Sequence, residues 1–464
     1  MSKHKKMGIW IIWLSLLLIT SGYYAYTLVS GKDKTVFMPG ELTDGHHQIA
    51  EDCQACHGSS FTDKEIMQEN CVACHGDQRK KPFDSHPRAK FTDPRNADTL
   101  ENINALYCVT CHVEHQPHIT QKTGVTQPKD FCIHCHSDIA NERPSHEGME
   151  FNTCANSGCH NFHNNRSLYT DYLIKHSNDP ELLDKKQVPE REFLNVLDEI
   201  VTYPRNRFPI KELNLENADV DKGIVGKGFE SALHNWDKTS HAKVGANCTA
   251  CHTNTDDDKW IDKPNEKQCA QCHDIEVKHF LEGKHGMRLR QGLSPMTPEQ
   301  ARLPMHETAA DKELGCNSCH TAHKDDVKTA AVDACLECHN DDHSNAYKDS
   351  SHYALWEKEL SGDLPKGSGV SCATCHMPRV ALDVNDWLRR TVVQHNQNAT
   401  LTPNEKMIRP ACIQCHGLEF SINALADKAL IKNNFSEKPS VHINSMDMAR
   451  EEQNRHEKKS GSTR

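Results

Sequence analysis

The cysteines of this chain occur in pairs, and a histidine directly follows each pair. Ten pairs have the spacing Cys-x-x-Cys-His, at Cys53/Cys56/His57, Cys71/Cys74/His75, Cys108/Cys111/His112, Cys132/Cys135/His136, Cys248/Cys251/His252, Cys269/Cys272/His273, Cys316/Cys319/His320, Cys335/Cys338/His339, Cys372/Cys375/His376 and Cys412/Cys415/His416. An eleventh pair, Cys154 and Cys159, is wider and is followed by His160. Together the motifs use all 22 cysteines of the 464-residue chain. Any fold of this chain must therefore serve a group that is bound repeatedly along the sequence.

Two thiols and an imidazole at this spacing match one kind of chemistry. In c-type haem attachment, the two cysteines bond covalently to the haem and the adjacent histidine binds its iron. Zinc sites and disulfides also use paired cysteines, but neither requires a histidine after every second cysteine. A thioredoxin-like redox motif would occur once. The sequence therefore predicts eleven covalently bound haem c groups. The wide motif is included because Asn156 and Gly158 suit the bulge that its longer loop demands.

The composition agrees with a core that side chains alone do not fill. Hydrophobic residues make up 36% of the chain and aromatic residues only 6%. Self-sufficient domains draw about 45–50% of their residues from the apolar set, so we expect the haems to supply much of the core. We predict a mainly α-helical fold with extensive irregular loops, organised around a haem array. The net charge of −11 argues against nucleic acid as a partner, since such binding requires a basic surface.

Each haem iron needs a second axial ligand or keeps an open position. Among the 32 histidines, several outside the motifs recur at fixed offsets from them, whereas none of the 12 methionines does. Two precede a motif by seven residues, three follow a motif histidine by three, and four fall ten to thirteen residues after the second motif of a pair. Two further candidates have no such recurrence. In that order the predicted distal ligands are His46 and His241; His115, His163 and His323; His86, His146, His285 and His352; and His176 and His395.

These offsets define an internal repeat of a histidine, two motifs and another histidine, with copies beginning at Cys53, Cys108, Cys248 and Cys316. The repeat predicts a pentahaem domain at 40–177 and a hexahaem domain at 236–447. Between them lies a haem-free connector at 178–235, in which 189–200 has the spacing of an amphipathic helix. A charged tail at 448–464 is expected to be disordered.

The N-terminal segment, 1–30, is apolar behind a basic flank that begins at Lys3. The apolar run from Ile9 to Val29 is long enough to span a bilayer, and aromatic residues stand near both of its ends. We predict an uncleaved transmembrane helix, and a cleaved secretory signal is the alternative. Both interpretations export the remainder of the chain, which places it on the periplasmic side of the cytoplasmic membrane.

The paired motifs and the strings Cys-His-x-x-His, such as the one from Cys111 to His115, resemble the cytochrome c3 type of multihaem cytochrome c. This resemblance implies low-potential haems with histidine on both sides of the iron, close enough to pass electrons to one another.

The C-terminal part, roughly 265–420, resembles a second group, the pentahaem nitrite reductases and hydroxylamine oxidoreductases. The resemblance rests on Gly-Val-Ser-Cys-Ala-Thr-Cys-His-Met-Pro at 369–378, Val-Gln-His at 393–395 and Cys-Ile-Gln-Cys-His at 412–416. In the nitrite reductases the catalytic haem is bound by Cys-x-x-Cys-Lys, whereas the corresponding motif here ends in His273. The catalytic tyrosine that follows the third motif in that family is absent after His339.

Two functions follow from these patterns. The first is a membrane-anchored, periplasmic undecahaem cytochrome that carries electrons from haem to haem. Its expected partners are redox proteins, namely a quinol-oxidising membrane complex, other cytochromes, and a downstream reductase or outer-membrane acceptor. The alternative is a terminal reductase of small nitrogen or sulfur oxyanions, with one open-site haem. The departures at His273 and after His339 favour the carrier, and a purely structural haem scaffold is a third, weaker interpretation.

Overall fold

The computed structural model describes residues 3–30, 34–58, 63–80, 84–121, 123–143, 146–154, 161–164, 168, 170–184, 186, 213–220, 229–321, 323–324, 326–385, 388–401 and 404–461. The predicted helix at 189–200, most of the predicted connector, and Cys159 and His160 of the wide motif lie outside the described residues.

Short α-helices joined by long loops make up most of the described chain. Those before the predicted connector are Lys3–Val29, Gln54–His57, Lys64–Lys80, Arg88–Phe91, Ala97–Asn102, Cys108–Cys111, Ile133–His136, Ile139–Glu142, Phe151–Cys154 and Thr170–Lys175. Those after it are Phe229–Trp236, Ser240–Lys243, Cys248–His252, Glu266–Ala270, Asp274–Glu282, Met287–Arg290, Cys316–Cys319, Val327–Ala331, Asp333–Leu336, Asp342–Ala346, Ser351–Ser361, Cys372–His376, Asn398–Leu401, Leu418–Ala426, Lys428–Lys432 and Ser445–Gly461. Single 3-10 turns occur at Thr35–Phe37, His47–Ile49, Pro94–Asn96, Leu215–Asn217, Pro298–Gln300, Glu307–Ala309, Tyr347–Asp349, Asn404–Met407 and Cys412–Gln414.

Regular sheet in the described residues is limited to one antiparallel hairpin. Its strands, Arg379–Asn385 and Leu388–Val393, pair in the register Arg379↔Val393. The predicted fold class, mainly helical with extensive loops and one N-terminal apolar helix, is confirmed.

The N-terminal helix Lys3–Val29 contains a stretch, Met7–Val29, that is long and apolar enough to cross a membrane. Its large side chains, among them Trp10, Leu18 and Tyr26, are exposed. A signal sequence has the same length and composition, so the helix is compatible with either an anchor or a signal.

The predicted disorder of 448–464 is wrong for the residues up to 461, which belong to the helix Ser445–Gly461. The charged sequence conceals a narrow apolar stripe, in which Met446 and Ala449 are buried against Leu418 and Ile422. Arg450 of the same helix pairs with Glu419 and Asp447. Burial of this stripe stabilises the helix despite the charge of its exposed face.

The described chain divides into two compact units. The first comprises 1–73 and 105–127, and thus contains the N-terminal helix together with the motifs of His57 and His112. The second comprises 74–104 and 128–464 and contains the motifs from His136 onward. The predicted division into a pentahaem and a hexahaem domain stays a prediction.

Candidate haem-binding sites

A helical turn brings the three functional side chains together in the motifs that the structure describes. The backbone amide of the motif histidine donates to the carbonyl of the first cysteine, four residues earlier, at 2.9–3.0 Å in His57→Cys53, His112→Cys108, His136→Cys132, His273→Cys269, His320→Cys316, His339→Cys335 and His416→Cys412. Residues three and four apart lie on the same face of such a turn. Both thiols and the imidazole therefore point to one side, as attachment to a single haem requires.

The second motif differs from this pattern of separate short turns. Cys71, Cys74 and His75 all lie inside the 17-residue helix Lys64–Lys80, and His75 is exposed. The boundary between the two compact units also falls directly before Cys74, so Cys71 belongs to the first unit and Cys74 and His75 to the second. The motif histidines His57, His136 and His273 are exposed as well, and the assignment of Cys71, Cys74 and His75 to one haem stays a prediction. The physical reason for the exposure is local, since the residues after His75 are Gly-Asp-Gln-Arg-Lys and offer no apolar cover.

Three of the described motif thiols, those of Cys135, Cys251 and Cys272, are exposed, and the others are partly or fully buried. Cys272 is exposed although Cys269 of the same motif is half-buried. It follows the end of the helix Glu266–Ala270, and its neighbour Gln271 is exposed as well. Covalent attachment of haem at these motifs and iron binding by their histidines stay predictions from the motif.

Across from many of the motif histidines stands a second imidazole. The ring centroids of these pairs are 6.0–6.4 Å apart, and each pair joins one motif histidine to one histidine from outside the motifs. The pairs are His57–His115, His136–His86, His252–His323, His273–His241, His320–His395, His339–His285, His376–His343 and His416–His352.

The separation of these rings matches a metal held between them. An atom bound to one nitrogen of each ring at about 2 Å, as in other histidine–metal sites, puts the two ring centroids about 6 Å apart. Direct ring stacking or a hydrogen bond between imidazoles would bring the centroids closer. The paired rings therefore fit the two axial positions of a haem iron.

Hydrogen bonds at the other ring nitrogen orient these imidazoles. Nδ1 donates to a backbone carbonyl in His115 (to Gly40, 2.9 Å), His112 (to Gly124, 3.0 Å), His252 (to Ile261, 2.8 Å), His395 (to Val393, 2.9 Å), His416 (to Glu181, 3.0 Å), His86 (to Phe162, 2.5 Å) and His343 (to Ile431, 2.5 Å). Such a bond fixes the tautomer and leaves Nε2 as the nitrogen that binds the metal.

Burial keeps several of these rings in the neutral form that binds metal ions. Burial, together with the neighbouring imidazole of each pair, lowers the pKa of His285, His352 and His376 to about 4. At neutral pH these rings are uncharged, so iron binding would not have to displace a proton from them.

One axial candidate has a carboxylate rather than a carbonyl as its partner. His46 Nδ1 lies 2.7 Å from Glu114 Oε1, and the same carboxylate accepts from the amide and the hydroxyl of Thr43, both at 2.9 Å. Burial alone would raise the pKa of Glu114, but the bonds from His46 and Thr43 bring it down to about 2. Glu114 is therefore ionised at neutral pH.

Two further observations fit a bound haem. The indole of Trp260 lies parallel to the ring of His252, with centroids 4.7 Å apart, and its buried Nε1 has no hydrogen-bond acceptor among the described residues. A haem carries carboxylates that could accept from this donor. Beside Cys319, a cavity of about 400 Å³ is lined by Lys312, Thr321 and Asp333, among other residues.

Neighbouring attachment sites adjoin one another in the second unit. The sulfurs of Cys269 and Cys316 interact directly, as do those of Cys335 and Cys372. Weaker electrostatic interactions link Cys251 to Cys269, Cys319 to Cys335, and Cys375 to Cys412. The six motifs from Cys248 to Cys415 therefore follow one another in space in the order of the sequence.

The histidine pairs join segments that are distant in the sequence, and they do so alike in the two halves of the chain. The first motif histidine of each half, His57 or His252, pairs with the last residue of a Cys-His-x-x-His string, His115 or His323. The fourth, His136 or His339, pairs with the lone histidine after the second motif, His86 or His285. The repeat detected in the sequence thus recurs in these ring pairs.

The structure pairs seven of the predicted distal candidates with motif histidines, and the roles of His46, His146 and His163 stay predictions. The role of His176 also stays a prediction: its Nδ1 is 2.7 Å from Asp179 Oδ2, and its ring packs on Tyr172. Sequence reasoning missed His343, which faces His376, because its position four residues after His339 has no counterpart in the repeat.

Comparison with known proteins gives one match. The model of the cytochrome c3 family matches residues 45–137. No curated protein and no solved structure matches the chain, and the resemblance to nitrite reductases and hydroxylamine oxidoreductases finds no support. The cytochrome c3 match implies covalently bound haem c and electron transfer with redox partners. The match covers about a fifth of the chain.

Proposed function

We propose that this protein is a membrane-anchored, periplasmic undecahaem cytochrome that carries electrons from haem to haem. The observation that carries the proposal is the set of imidazole pairs, in which a motif histidine faces a second histidine at the separation that a haem iron requires. An iron with histidine on both sides has no free position for a substrate, so it can change its charge but cannot bind an oxyanion.

The pairs argue most directly against the reductase alternative. In the nitrite reductases the catalytic haem occupies the motif that corresponds to Cys269–His273, and an open position is essential there. Here His241 faces His273 with the ring centroids 6.2 Å apart. The other five motif histidines from His252 to His416 also face a partner. We therefore infer that the six haems of 236–447 are all closed.

The contacts between attachment sites support conduction. Because the sulfurs of successive motifs lie side by side, as with Cys269 and Cys316, the haem edges bonded to them would also adjoin. Haem supplies the ferrous–ferric couple when bound. The chain's own residues would hold an imidazole on each side of the iron and fix the tautomers through Nδ1.

The position of the first haems supports a membrane-side partner. The first unit contains the apolar helix Lys3–Val29 and the motifs of His57 and His112, and Tyr24 near the end of that helix packs on Phe37. We propose that electrons are exchanged with a quinol-oxidising complex or another cytochrome at the membrane, and with a reductase or outer-membrane acceptor elsewhere.

Two measurements on the purified protein test this function. Electron paramagnetic resonance of the oxidised protein should show low-spin haem without a substantial high-spin ferric signal. Intact mass should correspond to eleven haems, and Cys154→Ala, in the wide motif, should weaken or remove one of them, as Cys53→Ala should in a standard motif. A stoichiometric high-spin haem in the wild-type protein would refute the pure carrier and revive the reductase.

A further inference from the structure

The string from His112 to His115 brings three axial candidates together. His112 is a motif histidine, and His115 faces His57 across the position of another iron. Between them stands Glu114, whose Oε1 is 2.7 Å from Nδ1 of His46. The side chain of His46 is 32% exposed and that of Glu114 is 25% exposed, so the contact is only partly screened by water.

Glu114 is held in place independently of His46. Its Oε2 accepts from the backbone amide of Thr43 and its Oε1 from the Thr43 hydroxyl, both at 2.9 Å. The carboxylate is therefore anchored by a residue three positions before His46, and the histidine meets an acceptor that is already ordered. Such fixed acceptors tune a metal ligand more effectively than mobile surface charges.

In another Cys-His-x-x-His string, the residue that corresponds to Glu114 offers a neutral carbonyl in place of a carboxylate. In the string that ends at His163, the residue before the last histidine is Phe162, and its carbonyl accepts from Nδ1 of His86 at 2.5 Å. The ring of Phe162 also stacks on His86, with the centroids 4.1 Å apart. In both strings the residue before the final histidine thus contacts an axial candidate from elsewhere in the sequence, His46 through a carboxylate and His86 through a neutral carbonyl.

A carboxylate acceptor changes the ligand that it holds. It draws the Nδ1 proton towards itself, which makes the imidazole more electron-rich and strengthens its bond to ferric iron. Its negative charge also stabilises the more positive ferric state. Both effects lower the reduction potential of the haem, since they favour the oxidised form.

We propose that Glu114 is a positioning residue that lowers the potential of the haem bound by His46, relative to haems whose axial histidines donate to carbonyls. This inference rests on the proposed function, because it takes His46 as an axial ligand. It places a haem of particularly low potential in the same compact unit as the membrane-compatible helix Lys3–Val29.

The test is a redox titration of the full-length holoprotein, followed by haem absorbance and by electron paramagnetic resonance. Glu114→Gln keeps the size of the side chain and a neutral oxygen that can still accept from His46. One haem should shift to higher potential and its low-spin signal should change, while intact mass shows an unchanged haem content. In Thr43→Val, which removes only the hydroxyl bond to the same carboxylate, every haem should titrate close to its wild-type potential. Asp447→Asn, which breaks a surface carboxylate–histidine contact with His442, should likewise leave the potentials unchanged.

The possible results separate the two proposals. If Glu114→Gln retains all its haems and titrates as the wild type does, Glu114 has a structural role only and this inference is wrong. If Asp447→Asn shifts a haem as far as Glu114→Gln does, the effect is one of general charge, and the inference is again wrong. If the wild-type protein shows no reversible haem reduction, the proposed electron-carrier function itself fails.

Discussion

His343 offers the most direct test of the ligand assignments, because the structure assigns it a role that the sequence pattern does not. It faces His376 at a ring separation of 6.0 Å, and its Nδ1 donates to the Ile431 carbonyl. In His343→Gly the backbone carbonyl that accepts from Asn434 at 2.9 Å is retained. The loss of the side-chain hydrogen bond costs about 1 kcal/mol, which is small against a typical domain stability of about 5–15 kcal/mol. The variant should therefore fold, with one iron left open.

The expected signal is one high-spin ferric haem per molecule in the oxidised protein. Added imidazole should enter the vacated space, bind the iron and abolish the signal. His442→Gly is the control, since His442 Nε2 is 2.5 Å from Asp447 Oδ2 and the residue faces no motif histidine among the described residues. His343→Met adds a second readout that keeps the iron closed, because a thioether ligand raises the potential of that haem. The absence of a high-spin signal in His343→Gly, or an equal signal in His442→Gly, would refute the assignment.

Two further predictions concern stability. Gly40→Ala would bring a new methyl group against the backbone of His115, so it should lower the free energy of unfolding by about 1–3 kcal/mol. In Gly45→Ala the nearest neighbour of the new methyl group is the Thr43 hydroxyl at 3.6 Å, so this variant should unfold at the wild-type urea concentration. Equal destabilisation of the two variants would contradict the prediction. The pKa of Asp427 is lowered from 3.8 to about 2 by hydrogen bonds from the amide and hydroxyl of Ser440 and from the amide of Leu430. The ionised form of Asp427 therefore stabilises the fold above pH 3.8, and this contribution is lost as the pH falls towards 2. The melting temperature of Asp427→Asn should thus lie below that of the wild type at neutral pH and converge with it near pH 2, and a constant difference would argue against the role of Asp427.

The attachment sites could be predicted from the sequence because their chemistry is local. Two thiols and a histidine within five residues, as at Cys269–His273, need only one helical turn to converge, and the motif itself specifies that turn. Six of the seven paired candidates, all except His395, could be predicted for a related reason, since a repeat preserves the offsets of residues with the same task. His323, for example, repeats the offset of His115.

The sequence pattern did not predict which histidines pair with one another or how far each side chain is buried. Which motif a distal histidine faces depends on how distant segments fold together, so the partner of His395 could not be read from its surroundings. The exposure of His75 could not be read from its motif either, because the motif fixes local spacing and not what packs on it. The predicted disorder of the C-terminal tail failed for a different reason. The prediction followed the charged composition of the tail. It gave no weight to Met446 and Ala449, two apolar residues that are buried where the helix Ser445–Gly461 packs on Leu418.

The imidazole pairs join segments that are distant in the sequence, so a metal bound between them would cross-link the chain. An iron held by His57 and His115, with a haem bonded to Cys53 and Cys56, closes the intervening loop much as a disulfide does. Closing a loop restricts the unfolded chain and contributes about 3 kcal/mol for a loop of roughly 15 residues, and more for a longer one. Because the metal bond exists only after haem attachment, the energy of ligation becomes energy of folding. We therefore expect a chain without haem to lack these cross-links, so that haem attachment and folding are coupled.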